Sequence, residues 1–193
     1  GLEEQYYLVY DNLGGVFKEM KNYKDALKYH EMAYNYALKT NNERAIYTIL
    51  VNMAGAYTNL GNGKKSIALH LEAERILTQS NDLRTKALVY SNLASLYSSE
   101  KNFDKAIGYS SLAIPIYEQI DNKDGLSLAY NNMGMFYLEN KKMNKSNEME
   151  VLKIFEIAHK YAVACNSLVR ISQNFESMSS YYMVLNDFEN AMG

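Results

Sequence analysis

Apolar residues recur along the chain at helical spacing, and the whole pattern repeats every forty residues. In each copy an aromatic residue or Leu is followed two positions later by Asn, then by Leu or Met, then by Gly or Ala, and three positions further by an aromatic residue. This spacing predicts that the contact residues share one face of an α-helix. The copies are YDNLGGVF at 10–17, LVNMAGAY at 50–57, YSNLASLY at 90–97 and YNNMGMFY at 130–137, with a weaker copy, FESMSSYY, at 175–182.

A second amphipathic block follows each of the first three copies. It carries small residues in two columns seven positions apart, which places both columns on one helical face and lets two helix backbones approach closely. Polar segments at 19–23, 60–64 and 100–104 separate the two blocks, and pairs of Asn or Asp separate successive repeats. Each repeat is therefore predicted to be a hairpin of two helices. The small columns are Ala26, Ser66 and Ala106, and Ala33, Ala73 and Ala113.

This arrangement resembles the tetratricopeptide repeat in its long variant of about forty residues, and the columns of Leu13, Gly14, Phe17 and Ala26 carry the resemblance. The resemblance covers nearly the whole chain. It implies an all-α fold of antiparallel helix pairs stacked into a right-handed superhelix, a solenoid in which the first helix of each pair lines a concave groove. We expect one such domain over 1–193, with hairpins at about 3–42, 43–82, 83–122 and 123–165 and a partial fifth at 166–193.

Two stretches depart from the repeat. The fourth copy contains a five-residue insertion that we place at 139–146, after which Val151 and Ala158 fall into the small columns. Pro115 lies late in the second helix of the third hairpin and is expected to kink or loosen that helix. The fifth hairpin stops soon after its second helix should begin, so the chain is expected to be a piece of a longer protein.

The charge balance narrows the class of partner. The 193 residues carry a net charge of −2 and give a sequence pI of 6.0, whereas nucleic-acid-binding and membrane-surface proteins carry a marked positive charge. We therefore expect no nucleic-acid partner and no membrane partner for this segment. No apolar run approaches the roughly 18 to 20 residues of a membrane span. The compartment is not fixed by the sequence, and the cytoplasm is favoured.

Residues that catalyse reactions or bind metals occur singly. His30 and His70 occupy one column of the second helices, where a metal-ligand or base role competes with a packing role. Packing is favoured, because equivalent positions of neighbouring hairpins lie too far apart to share a small ion easily. His159 and Cys165 lack a companion of matching chemistry, and no phosphate-loop, nucleophile-elbow or zinc motif is present. We therefore predict no enzymatic activity, no cofactor and no metal.

A polar column runs through the first helices and consists of Asn12, Asn52, Asn92 and Asn132. Asn in a helix interior costs about 0.6 kcal/mol relative to Ala, so the recurrence needs a cause, and two are open. The carboxamides can pair with the backbone of an extended peptide, which is how first-helix asparagines act in many tetratricopeptide proteins that capture peptides. Alternatively, each Asn ties one hairpin to the next.

The first explanation predicts a partner-binding face around the Asn column. The face carries no Lys or Arg, which argues against capture of a C-terminal carboxylate, and its apolar residues favour an apolar or mixed segment. Arg44 and Arg84 lie nearer the helix starts and are expected to form weak surface pairs. The predicted partner-binding residues are Leu8, Asn12, Gly15, Val51, Asn52, Gly55, Leu88, Asn92, Ser95, Leu128, Asn131, Asn132 and Met135.

These patterns predict an interaction module that holds a protein or extended peptide in the concave groove. The resemblance to the long repeats of bacterial signalling proteins implies the sensory or docking part of a regulatory protein. The alternative is a structural spacer or oligomerisation module with no groove ligand, in which the open ends self-associate or pair with further repeats.

Overall fold

The computed structural model describes residues 2–140 and 148–192. Within these residues the chain forms nine α-helices and no strand, so the predicted all-α fold is confirmed. The chain divides into two compact units, unit 1 at Gly1–Leu96 and unit 2 at Tyr97–Gly193. The helices are α1 Leu2–Glu19, α2 Tyr23–Lys39, α3 Glu43–Asn59, α4 Gly63–Leu77, α5 Leu83–Ser99, α6 Phe103–Gln119, α7 Lys123–Glu139, α8 Glu148–Ala164 and α9 Leu168–Met192.

Unit 1 consists of two helical hairpins and most of α5. Within the hairpins α1 packs on α2 and α3 packs on α4, and between the hairpins α2 packs on α3. The predicted small residues Ala26, Ala33 and Ala73 are completely buried. The helices of the first hairpin approach so closely that a Cβ atom on Gly14 would lie 2.6 Å from the ring of His30. Only glycine fits this position without movement of the ring.

Unit 2 is built around α7, which packs on α6, α8 and α9, and α8 also packs on α9. Its core includes Val151, Phe155 and Tyr181. The hydroxyl of Tyr181 donates a hydrogen bond to the backbone oxygen of Glu148 at 3.1 Å, which satisfies a polar group at the edge of an apolar core. Val151 and Ala158 of α8 are both buried, in agreement with their predicted place in the small columns.

An Asn or Asp side chain caps the start of many of these helices. Its oxygen accepts the backbone N–H three residues further on, which satisfies a donor left free in the first helical turn. The residue before the cap often adopts left-handed backbone geometry, with φ between 49° and 73°, and this pair reverses the chain between helices. The caps are Asn22, Asn42, Asn62, Asp82, Asn102 and Asn122, and the left-handed residues before them are Lys21, Asn41, Gly61, Lys101 and Asp121.

One local expectation differs from the structure, and one stays a prediction. Helix α6 contains Pro115, which is exposed, and continues beyond it to Gln119, and the expected kink or loosening of this helix stays a prediction. Helix α9 runs past Asn186 as one helix, where a turn into a second helix was expected. No Gly or Pro lies between Leu168 and Met192 to break this helix. The insertion placed at 139–146 lies outside the described residues from residue 141 onward.

Candidate functional site

The predicted binding residues of unit 1 lie on α1, α3 and α5, and we call this set the first-helix face: Leu8, Asn12, Gly15, Val51, Asn52, Gly55, Leu88, Asn92 and Ser95. Leu8 and Leu88 are about half exposed, and Val51 is partly buried. A Cβ atom added at Gly15 or Gly55 would meet no atom within 4 Å. The face is therefore open where glycine interrupts it.

Asn52 is hydrogen-bonded to the preceding hairpin. Its Nδ2 donates to the two carboxylate oxygens of Asp11 in α1, at 3.1 and 3.3 Å. The same carboxylate accepts a hydrogen bond from Nδ1 of His30 in α2 at 2.7 Å. The His30 ring is completely buried, and its Nε2 has no partner among the described residues. One carboxylate thus joins three helices, α1, α2 and α3.

Asn92 makes an equivalent connection through His70 of α4. Nδ1 of His70 donates to the backbone oxygen of Ser66 at 3.0 Å, which leaves Nε2 to accept from Nδ2 of Asn92 at 3.1 Å. The neutral ring with its proton on Nδ1 satisfies both neighbours. Burial lowers the pKa of His70 below its ordinary value, although the bond to Ser66 acts in the opposite direction. Asn92 thereby ties α5 to α4.

The predicted residues of unit 2 all lie on α7 and are partly buried: Leu128, Asn131, Asn132 and Met135. Asn131 joins α7 to α9, because its Nδ2 donates to Oγ of Ser177 at 3.0 Å and its Oδ1 accepts from Nδ2 of Asn174 at 3.2 Å. Oδ1 of Asn174 accepts from Nδ1 of His159 in α8 at 3.1 Å. This network links α7, α8 and α9.

The Asn column therefore divides into two groups. Asn52 and Asn92 bond to the preceding hairpin, so the structural explanation that the sequence left open applies to these two. Within the described part of the chain, no side-chain hydrogen bond is seen at Asn12 or Asn132, and Asn12 is exposed. The binding role of the column stays a prediction.

A recess of about 190 Å³ lies between α1 and α3, beside the first-helix face. Within it, Nδ2 of Asn42 donates to the hydroxyl of Tyr7 at 3.1 Å. The apolar part of the recess consists of Leu8, Ala45 and Ile49, and the polar part consists of Tyr7, Asp11, Asn42, Arg44 and Thr48.

Sequence reasoning left two residues of this recess out of the predicted site, because it treated Arg44 only as a member of a weak surface pair and did not consider Asp11. Arg44 precedes Thr48 by four positions and Asn52 by eight, so it continues the Asn column toward the start of α3. Extending the column by another turn would have placed Arg44 at the site. Asp11 carries no such signal, because its column holds Val51 and Ser91 in the next two repeats.

Arg44 gives the recess a positive edge. Its charge also acts on Asp82, the cap of α5. Although burial raises the pKa of this carboxyl, the hydrogen bonds from Thr85 and Tyr47, together with the Arg44 charge, bring the pKa below its ordinary value. The corresponding position of α7 is Asp124, which accepts two hydrogen bonds from Arg170 at 2.8 and 3.0 Å. The sign of the charge at this column position therefore differs between α3 and α7.

A larger recess of about 530 Å³ lies on the second helices, between α2 and α4. The hydroxyl of Tyr34 donates to Oε1 of Glu72 across it at 2.9 Å. Burial, the bond to Glu72 and the charge of Glu72 raise the pKa of Tyr34. This recess contains none of the predicted binding residues, so the smaller recess is the better candidate site.

A family model, the tetratricopeptide repeat, matches residues 45–119. This segment consists of tetratricopeptide repeats. It extends from the first turn of α3 to the end of α6 and therefore covers four helices. The resemblance found in the sequence is confirmed. No curated protein matches the sequence.

Solved structures with tetratricopeptide-like repeats share this fold. A STAND signal transduction ATPase with a tetratricopeptide repeat sensor, from Pyrococcus horikoshii, has a TM-score of 0.82 and 18% identity over 94% of this chain and 28% of that chain. Aspartyl phosphate phosphatase F from Bacillus subtilis has a TM-score of 0.83 and 13% identity, and the match covers 97% of this chain and 49% of that chain. A Rap protein complexed with competence and sporulation factor has a TM-score of 0.69 and 16% identity, and the match covers 99% of this chain and 57% of that chain.

The likeness to these structures shows the fold alone, and the chain spans less than two thirds of each of the three proteins. None of the helices that the structure describes combines the length and apolar character needed to cross a bilayer. No three His, Cys, Asp or Glu side chains in the described ranges are grouped so that they could hold a metal ion.

Proposed function

We propose that the first-helix face of unit 1 binds an extended segment of a protein partner, and that the recess beside it takes one side chain of that segment. The observation that carries this proposal is that an exposed leucine, an open glycine strip and a recess occur together on α1 and α3. Small-molecule sites usually enclose roughly 300 to 1,000 Å³. The recess is smaller, about 190 Å³, which favours a single side chain over a free metabolite.

Each part of the face has a task in this proposal. The carboxamide of Asn12 offers both a donor and an acceptor to the backbone of the segment. Gly15 and Gly55 leave room for that backbone. Leu8 contacts the inserted side chain, and Arg44 favours an acidic residue next to it.

We further propose that the module is the sensory or docking part of a bacterial regulatory protein. Two proteins of similar fold support this role, since the Pyrococcus protein carries a tetratricopeptide repeat sensor and the Rap protein is complexed with competence and sporulation factor. Repeat solenoids generally act by binding along an extended surface, so we propose binding and no catalysis. A location in the cytoplasm stays a prediction.

A substitution on the open strip tests the proposal. Peptides are selected from a random display library on the immobilised chain, and their affinity is measured by fluorescence anisotropy. Gly55→Gln fills the strip without contacting the core, so the dissociation constant should rise at least about tenfold. Gln is also a better helix former than Gly, so a loss of binding would not come from unfolding.

Gly108→Gln is the matched control. Gly108 is equally open but lies on α6, a second helix, and its replacement should leave the dissociation constant unchanged within about twofold. If Gly55→Gln binds the selected peptides as tightly as the wild type, the proposed site is wrong.

A structural spacer or oligomerisation module remains the second candidate. The hydrogen bonds that Asn52 and Asn92 make to the preceding hairpin favour it. This candidate predicts that the library yields no peptide whose binding depends on Gly55 or Leu8.

A further inference from the structure

The carboxylate of Asp11 uses its two oxygens differently. Oδ1 accepts two hydrogen bonds, one from Nδ1 of His30 at 2.7 Å and one from Nδ2 of Asn52 at 3.1 Å. Among the described residues, Oδ2 accepts only the longer bond from Asn52, at 3.3 Å. Each carboxylate oxygen can accept about two hydrogen bonds. The bonds that hold the three helices together therefore fill Oδ1, and Oδ2 keeps the capacity to accept a further donor.

Asp11 lines the recess of about 190 Å³, and its side chain is 22% exposed. The exposed leucine Leu8 forms an apolar wall of the same recess. Two hydroxyl oxygens also line it. That of Thr48 donates to the backbone oxygen of Arg44 at 2.7 Å and can still accept, and that of Tyr7 accepts one hydrogen bond and can accept a second. The recess thus combines an apolar wall with three oxygens that can accept hydrogen bonds.

The negative charge of Asp11 is not compensated within unit 1. In the described part of the chain, no Lys or Arg side chain pairs with this carboxylate. His30 is completely buried and its Nε2 has no acceptor, so a second proton on the ring would create a buried N–H without a partner, which is costly. The ring is therefore neutral, with its proton on Nδ1. Asp11 keeps its charge at the surface of the recess.

We propose that the side chain that enters the recess is a lysine of the partner segment, and that its ammonium group binds Oδ2 of Asp11. This inference rests on the proposed function and adds the chemistry of the inserted residue. An ammonium group carries three N–H donors, which match the oxygens of Asp11, Thr48 and Tyr7. The methylene stem of a lysine packs along apolar surface, and Leu8 supplies that surface.

The hydrogen bonds of Asp11 favour lysine over arginine. A guanidinium group binds a carboxylate best through both oxygens at once. Oδ1 already accepts from His30 and Asn52, so a single oxygen is left for the ligand. An ammonium group needs only one oxygen, because it acts as a compact point charge.

Arg44 at the edge of the recess does not prevent this pairing. It lies eight positions before Asn52, the residue that bonds to Asp11, which is about 12 Å along α3. Its charge also acts on Asp82. Exposed charges at such a distance are largely screened at physiological ionic strength, where the Debye length is about 8 Å. The bound segment therefore carries its lysine at Asp11 and an acidic residue nearer to Arg44.

Peptide variants and one protein variant test the pairing with Asp11. Gly55-dependent peptides from the display selection are synthesised with their lysine replaced by methionine or by arginine. Methionine keeps an apolar stem without the charge and should raise the dissociation constant at least about tenfold, and arginine should raise it at least about threefold. Asp11→Asn should weaken the lysine peptide at least about tenfold and leave the methionine peptide within about twofold, since only the lysine is coupled to this carboxylate.

The variant and its control are matched. Asp11→Asn keeps Oδ1, the oxygen that accepts from His30 and Asn52, and circular dichroism checks that it is helical. Glu31→Gln removes an exposed carboxylate of α2 outside the recess and should change the affinity less than about twofold. If Asp11→Asn does not fold, salt gives the test on the wild type. Raising KCl from about 50 to 500 mM should weaken the lysine peptide and not the methionine peptide.

The outcomes separate this inference from the proposed function. Gly55-dependent peptides that lack lysine, bind more tightly with arginine, or carry a lysine uncoupled from Asp11 would overturn the inference and leave the proposed function standing. A selection without any Gly55-dependent peptide, and without a lysine coupled to Asp11, would overturn both. Peptides whose lysine is coupled to Asp11 but which ignore Gly55→Gln would support the inference and contradict the proposed role of the glycine strip.

Discussion

The carboxylate of Asp11 connects the surface of unit 1 with its interior. It lines the recess and also accepts hydrogen bonds from buried His30 and from Asn52. A polar group in this position is stabilising only while all its partners are present, because an unsatisfied buried donor retains its full cost of desolvation.

Removing this carboxylate should therefore weaken the fold. We expect Asp11→Ala to lower the free energy of unfolding by about 1 to 3 kcal/mol, since it leaves Nδ1 of His30 without an acceptor. Urea denaturation measures the change. Asn12→Ala is the neighbouring control and should lie within about 0.5 kcal/mol of the wild type, because Asn12 is exposed. Equal losses in both variants would contradict the role of Asp11.

His70 should make the fold sensitive to acid. Its pKa is lowered in the folded state by burial, so the unfolded chain takes up a proton first as the pH falls below about 6.5. The stability that neutral His70 contributes is present above this pH and is lost below it. We expect His70→Asn to reduce the difference in unfolding free energy between about pH 7.5 and pH 5.5, measured by urea denaturation. A variant as acid-sensitive as the wild type would exclude His70 as a cause.

At the scale of the helix, two glycines in the interiors of first helices have opposite tasks. Gly14 and Gly55 both lie inside first helices, where Ala is intrinsically favoured by about 1 kcal/mol. At Gly14 a Cβ atom would lie 2.6 Å from the His30 ring, whereas at Gly55 it would meet nothing within 4 Å. Gly14 permits a helix contact, and Gly55 leaves a surface open.

Alanine substitutions at these glycines should therefore change stability in opposite directions. Gly55→Ala should raise the free energy of unfolding by about 1 kcal/mol. Gly14→Ala should lower it by about 1 to 3 kcal/mol, because the His30 ring would have to move and lose its bond to Asp11. Thermal and urea denaturation of the two variants, measured side by side, checks this difference in sign. Two stabilised variants would show that the ring moves at no cost.

The helices themselves were predictable from the sequence because their signals are local and repeated. The Asn caps, the small columns and the polar turns each recur at the same interval, and each acts within a few residues. The course of α9 past Asn186 was not predictable in this way. Asn186 and Asp187 are similar to the turn residues of the other repeats, but no Gly or Pro stands beside them, and Asn and Asp can also continue a helix.

At the scale of the whole molecule, the sequence predicted the repeat family, but it predicted the candidate binding site only in part. The asparagine column identified Asn52 and Asn92 as special, but their partners Asp11 and His70 lie 41 and 22 positions away. Such distant pairs depend on how hairpins pack, which helix periodicity does not determine. The recess has the same origin, because two helices from different hairpins form its walls.

The helix caps that flank the second hairpin have a consequence for how the number of repeats can change during evolution. Asn42 caps α3 and Asp82 caps α5, forty positions later. Deletion or duplication of residues 43–82 would join one capping residue to the start of an equivalent helix, so recombination can alter the copy number without inventing a new junction. A deletion of one or two residues inside a helix would instead rotate the buried side chains that follow it toward water. Changes in the number of whole repeats should therefore disturb the buried contacts less than changes of length inside a helix.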